Sequence, residues 1–248
     1  MVPFLKLIRY QNLLLLAFMQ LVFRYGFFKF QNIPLSLSDW QYFLLVLSTV
    51  LLAAGGYVIN NIIDQNTDID NKPKDVVVGK SISEAKAYNI YIILTCLGVS
   101  IGFYLSNVIM KPGFASIFIL ISATLYLYAT SLKQMILIGN VIVALLLAFS
   151  VIIIGIFDLY PATYQGNQSQ MAVIFSILLD YAIFTFFLNF IREIVKDLED
   201  VNGDYNYGIN TLPVAIGISR TTKMDSFFRD FIYCRNHYKY EIQCLKIN

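Results

Sequence analysis

Six apolar runs govern what this chain can fold into. They lie at about 11–28, 40–60, 87–108, 113–131, 136–157 and 171–191. Each approaches the roughly 20 mostly apolar residues that a helix needs to cross a hydrocarbon core. None alternates with the period of two expected of a membrane-barrel strand. Helices remain, because in lipid each spanning segment has to satisfy its own backbone polar groups. The first run is the least clean, since Gln20 and Arg24 interrupt it. Composition agrees, with 58% hydrophobic and 14% charged residues, where a soluble domain carries about 25% charged. The expected fold class is all-α, a polytopic transmembrane helical bundle of about six spans.

Charge sets the orientation. Lys6 and Arg9 precede the first run, Lys72, Lys74, Lys80 and Lys86 follow the second, Lys133 follows the fourth, and Arg192 and Lys196 follow the sixth. If every run spans, these share one side, which the positive-inside tendency makes cytoplasmic. The opposite side holds only Arg24, Lys29 and Lys111. Both termini and all the charge-rich loops are therefore expected in the cytoplasm, in a bacterial inner membrane. Lys6 and Arg9 read as topology signals. A formal charge of +2 gives no basis for a nucleic-acid partner; the expected surroundings are membrane lipids.

The chain gathers carboxylates where two runs leave the apolar zone. The first cluster is NNIIDQNTDIDNKP, in which Asn60, Asp64 and Asp68 are spaced by four. On a helix that spacing stacks them on one face. The second is REIVKDLEDVNGD, in which Asp197, Asp200 and Asp204 again share a helical face, with Gly203 expected to end or loosen the helix. Thr211 and Pro213 then read as a new helix start. A solvated charged loop is the plain alternative for either cluster alone. Two phased clusters on one side favour a site. The single histidine and the three cysteines have no metal-ligand spacing. Oxygen donors without His or Cys suit a hard cation, and Mg²⁺ in particular joins carboxylates to phosphate oxygens.

Six spans are excessive for a water-soluble phosphate ester and appropriate for an isoprenoid diphosphate. Its tail dissolves in the membrane while its head stays at the surface. Breaking the allylic carbon–oxygen bond leaves diphosphate and a carbocation, with metal ions and basic side chains offsetting the charge that develops. Lys72, Lys74, Lys80, Lys133, Arg192 and Lys196 are the basic supply. Alternatives are another membrane lipid phosphotransferase, a cation transporter, or an inactive prenyltransferase remnant. Asp180, inside the sixth run, and Asn189, two turns before Lys196, are further candidates.

These residues resemble the UbiA superfamily of intramembrane prenyltransferases. Its first motif stands here as Asn60, Asp64 and Asp68, then Asn71-Lys72-Pro73 and VVVGKSIS. The second stands as Asp197, Asp200, Gly203 and Asp204, then GINTLP. Its middle loop stands as Tyr128 with Lys133, then Gly139-Asn140. The NKPKDVVVGK phrase is similar to the digeranylgeranylglyceryl phosphate synthase-like branch. The resemblance implies Mg²⁺ held between Asn60, Asp64 and Asp68 on one side and Asp197, Asp200 and Asp204 on the other. It implies catalytic roles for Asn60, Asp64, Asp68, Asp200 and Asp204. It also implies substrate contacts from Lys72, Lys74, Lys80, Tyr128, Lys133, Asn140, Asn189, Arg192 and Lys196. The implied reaction transfers a prenyl group to a lipid-phosphate or aromatic acceptor. Asn61 and Asp75 depart from the family pattern, which often has Asp and Arg there. The family typically has nine spans, so residues 1–220 read as an incomplete prenyltransferase domain and 221–248 as a polar tail, either aberrant or interfacial.

Overall fold

A computed structural model describes residues 2–65, 69, 76–206 and 208–230. Two helices open the chain, α1 (Val2–Leu7) and α2 (Tyr10–Leu21). They are separated at Arg9, which adopts the left-handed conformation at φ 51°. The helix of α2 widens into a π-helical segment over Val22–Phe28. Then come α3 (Asp39–Ile63), α4 (Glu84–Val108), α5 (Ala115–Thr130), α6 (Ile138–Ile154) and α7 (Gln168–Asn206). A short α8 (Leu212–Ile216) precedes a last helix, α9, at 218–230.

Among the described residues, five segments are long and apolar enough to cross a membrane: Asp39–Ile63, Glu84–Val108, Pro112–Thr130, Ile138–Ala162 and Gln168–Asn206. The expected first span is helical from Tyr10 to Phe28, but in two pieces, so it does not meet the criterion of a single long apolar helix. The two polar residues that interrupt it are buried and paired. Gln20 donates to the Ser150 carbonyl at 2.9 Å. Arg24 donates to Asp158 and to the Leu37 carbonyl, the latter at 2.6 Å, and its guanidinium lies 4.5 Å from the Tyr42 ring centre. The Leu37 N–H completes this clasp by donating to Asp158 at 2.9 Å. The clasp ties the α2–α3 connection to the end of α6.

α3 starts on a capping box, with the Ser38 hydroxyl accepting from Gln41 N–H and the Gln41 side chain accepting from Ser38 N–H. It packs most extensively against α4. Small residues allow the approach. Gly98 lies under Leu52, whose side chain would meet a Cβ there, and Ser48 donates across to the Gly98 carbonyl at 2.7 Å. One turn on, the Phe118 ring occupies the space that a Cβ at Gly102 would take. Small residues that let helices approach are how lipid-embedded helices associate without a hydrophobic drive between them.

α7 has 39 residues, about 58 Å at 1.5 Å per residue. It outruns a hydrocarbon core of about 30 Å. The helix does not loosen at Gly203, contrary to the sequence expectation. Gly203 is buried within α7, which continues to Asn206. Continuity from the apolar run through the second acidic cluster holds that cluster on a rigid element. Helical structure also crosses residue 220, where a polar tail was expected to begin. Met224 and Phe228 of α9 pack on the cluster of Ala144, Phe190, Ile194 and Leu212. The Phe190 and Phe228 rings meet edge-on at 5.3 Å.

Candidate active site

Both acidic clusters open on one polar cavity of about 700 Å³ at the end of the bundle. α3 delivers Asn60 and Asp64 to it. Asp64 caps the helix, so the regular face expected from Asn60 through Asp68 is established only to Asp64. Asn60 donates its amide to Asp64 at 2.7 Å. Its Oδ1 is buried and has no hydrogen-bond partner. Asp68, Lys72, Lys74 and Asp75 lie outside the described residues.

α7 delivers Arg192, Glu193, Lys196, Asp197, Asp200 and Asp204. Their shared face is a direct result of the helical phase read from the sequence. Asp197 accepts from Asn140 at 2.7 Å, and Asn140 comes from the first turn of α6. Asp204 accepts from the Thr211 hydroxyl at 3.1 Å. Thr211 is the N-cap of α8 with Pro213 in its first turn, as the sequence predicts.

Tyr128 and Lys133 enter from the end of α5 and the loop beyond it. Lys133 forms an ion pair with Asp64, both side chains mostly buried. Burial pushes the Lys133 ammonium down to about 8, assisted by repulsion from Lys196 and opposed by Asp204. An internal cation thus already sits on the carboxylate that the first motif offers.

Two expected contacts are not brought to the site. Lys80 sits on an exposed turn after Gly79 and does not line the cavity. Asn189 bonds the Thr185 carbonyl of its own helix at 2.8 Å and does not line the polar cavity. Conversely, Lys6 and Arg9, read as topology signals, are wall residues. Arg9 lies 5.3 Å over the Tyr57 ring. Glu193, buried and 3.9 Å from Lys196, is a further wall residue. Asp180 is exposed on α7 and does not line the polar cavity.

A narrower, apolar cleft of about 160 Å³ continues from the polar cavity into the bundle. The two share Arg9, Asn60, Tyr128, Arg192, Glu193 and Lys196. Below that rim the walls are Leu16 of α2, Ala53 and Gly56 of α3, Leu125 of α5 and Leu147 of α6. The arrangement can hold an amphiphile with a charged head in the polar chamber and a hydrocarbon tail between helices.

Among the described residues, no three His, Cys, Asp or Glu side chains converge closely enough to hold a metal ion. The donor set nonetheless fits a hard cation. It is oxygen only, it includes the orphaned Oδ1 of Asn60 beside Asp64, and the second carboxylate set faces it across the cavity.

The UbiA prenyltransferase family model matches residues 14–232. A digeranylgeranylglyceryl phosphate synthase of Sulfolobus acidocaldarius is 35% identical over 188 residues, covering 74% of this chain and 62% of its own. One from Methanopyrus kandleri is 37% identical over 167 residues, covering 67% and 55%. One from Methanobrevibacter smithii is 31% identical over 206 residues, covering 82% and 69%. A solved structure from a study of digeranylgeranylglyceryl phosphate synthase in membranes superposes with a TM-score of 0.65 at 23% identity, covering 97% of this chain and 77% of that one. The chain spans about three fifths of the length of the first of these relatives. All three organisms are archaea, which overturns the expected bacterial inner membrane. Charge asymmetry orients a bundle but carries no information about whose membrane holds it.

Proposed function

Because the chain belongs to the UbiA prenyltransferase family, in its digeranylgeranylglyceryl phosphate synthase-like branch, we propose that it transfers a prenyl group from an isoprenoid diphosphate to a glycerol-phosphate lipid, releasing diphosphate. The observation that carries this reading is the continuity of the polar cavity with the apolar cleft through a shared rim. A phosphotransferase acting on headgroups has no need of a buried hydrocarbon slot opening beneath its carboxylates.

In this reading the tail lies in the cleft and the diphosphate lies in the polar chamber. C1 of the prenyl group then sits at the rim, beside Tyr128. Asn60, Asp64 and Asp68 on one wall, and Asp197, Asp200 and Asp204 on the other, would hold Mg²⁺. When bound, that cation neutralises the charge growing on the leaving diphosphate. Lys133 and Lys196 contact the same oxygens. The C1–O bond breaks with both electrons leaving on diphosphate. An acceptor hydroxyl oxygen bonds to C1, and its proton passes to the departing diphosphate. The Tyr128 ring face stabilises the cation at C1 as it forms. The apolar walls exclude the water that would otherwise capture it. Lys6, Arg9 and Arg192 offer positive charge to the acceptor phosphate at the open side of the chamber. The relatives named for a glyceryl phosphate product favour this acceptor over an aromatic one.

The test is diphosphate release from the purified chain, given geranylgeranyl diphosphate, Mg²⁺, and either a glycerol-phosphate ether lipid or an aromatic acid. Release that needs both Mg²⁺ and the lipid phosphate is expected. Release supported equally by the aromatic acceptor would remove the lipid-phosphate assignment, and phosphate-linked product would support the phosphotransferase instead.

A further inference from the structure

The apolar cleft ends on a polar floor. Toward its far end the walls are Thr49 of α3 and Ser150 and Ile153 of α6. Gln20 of α2 is fully buried and joins Thr49 to Ser150. Its Nε2 donates to the Ser150 carbonyl at 2.9 Å, and its Oε1 lies 2.8 Å from the Thr49 hydroxyl. Tyr42 locks the same turn by donating to the Gln20 carbonyl at 2.5 Å. Three helices are thus stitched at one level by a hydrogen-bonded amide in an otherwise apolar interior. A hydrocarbon chain can pass this level only by displacing the amide, leaving buried polar groups unpaired.

The depth of the floor is consistent from helix to helix. At 1.5 Å per residue, Thr49 lies about 16 Å below Asn60 on α3. Ser150 lies about 15 Å below Asn140 on α6, and Gln20 about 16 Å below Arg9 on α2. An extended isoprene unit adds about 4–5 Å, given carbon–carbon bonds of about 1.5 Å. The cleft therefore takes about four units before it meets the amide.

We propose that Gln20, held by Thr49 and the Ser150 carbonyl, is a specificity-determining stop that fixes the length of the prenyl tail at about four isoprene units. The inference rests on the reading of the cleft as the prenyl site. It assigns Gln20 a role beyond the helix-to-helix hydrogen bonds that it makes. Removing it is structurally tolerable. The Thr49 hydroxyl keeps a second partner in the Val46 carbonyl at 2.8 Å. The Tyr42 contact is to backbone and survives. Higher in the cleft, Ala53 lies about 10 Å below Asn60, so bulk added there shortens the slot to about two units.

The experiment compares diphosphates of ten, fifteen, twenty and twenty-five carbons on the wild type, Gln20→Ala and Ala53→Phe, all in detergent with Mg²⁺. Binding is read as the rise in thermal midpoint, and transfer as kcat/KM with the lipid acceptor. The wild type should favour twenty carbons over twenty-five by about tenfold or more, the scale at which a pocket rejects added hydrocarbon. Gln20→Ala should close that gap, and Ala53→Phe should move the preference to ten or fifteen carbons. A length preference that Gln20→Ala leaves in place, or none in the wild type, would overturn the stop while leaving the prenyl site standing. Stabilisation by inorganic diphosphate equal to that by every prenyl diphosphate would overturn the prenyl site and the stop together.

Discussion

Asp64 carries two conflicting demands. It is paired with Lys133, yet it is the described carboxylate of the first motif nearest the orphaned Asn60 oxygen. Replacing Asp64 by Asn keeps the shape and removes the charge that would hold a cation against the leaving group. We expect kcat to fall by about 10²–10³, the range seen when one preorganised stabiliser of developing charge is lost. KM for the prenyl diphosphate should change far less, because the lost interaction is strongest in the transition state. Steady-state rates over a substrate series decide it. Lys133 adds a pH dependence. Its depressed value near 8 means that the ammonium is mostly charged at pH 7, half lost at pH 8 and mostly lost at pH 9. Affinity of the metal-free protein for inorganic diphosphate should accordingly fall as pH rises through about 8. Lys133→Arg, whose charge persists past pH 12, should flatten that limb; titration calorimetry at pH 7 and 9 checks both.

At the scale of elements, the far end of the bundle is closed by a buried ion pair. Arg24 and Asp158 are 2% and 0% exposed, in a place where isolated charge is costly. Removing Asp158 leaves Arg24 only the exposed Asp39 carboxylate at 3.2 Å and the Leu37 carbonyl. Asp158→Ala should destabilise the protein by about 3–5 kcal/mol, whereas Arg24→Met combined with Asp158→Leu should recover most of that loss. Thermal melts of the single and double variants in one detergent separate the two outcomes. Much at this scale was legible in the sequence. The apolar runs located every long helix, and the i, i+3, i+7 spacing of Asp197, Asp200 and Asp204 placed them on one wall. The Thr-Leu-Pro signal located the start of α8. Gly203 misled because a helix can carry a glycine when tertiary packing holds it, and Gly203 is buried. Arg9 and Lys6 escaped because their role depends on α1 folding back beside α3, a contact between distant residues that no local pattern encodes. Lys80 was assigned from its nearness in sequence to the first motif, but a turn carries it outward.

For the whole molecule, Asp64 at the end of α3 and Asp197, Asp200 and Asp204 of α7 line one polar chamber. Among the described residues nothing joins them directly as a metal cluster. Mg²⁺ and diphosphate together should therefore act as a bridge between α3 and α7, and either alone should not. With both present at about 100 times their dissociation constants, stabilisation of about 2.7 kcal/mol is expected from mass action. Differential scanning fluorimetry with each ligand singly and then combined tests this, and equal shifts from Mg²⁺ alone would contradict the bridge.

The length of α7 has a consequence for where the protein works. Its lower part is anchored in hydrocarbon, while its last turns carry Asp197, Asp200 and Asp204 beyond it on the same unbroken rod. A bilayer that is too thick or too thin for the apolar stretch is met by a change of helix tilt. A rod about 58 Å long converts a few degrees of tilt into a displacement of several ångströms at its tip. α3 is a separate lever with its own apolar length. The lipid that this chemistry is proposed to build would then set, through the thickness of the sheet it forms, the gap between the two walls that make it.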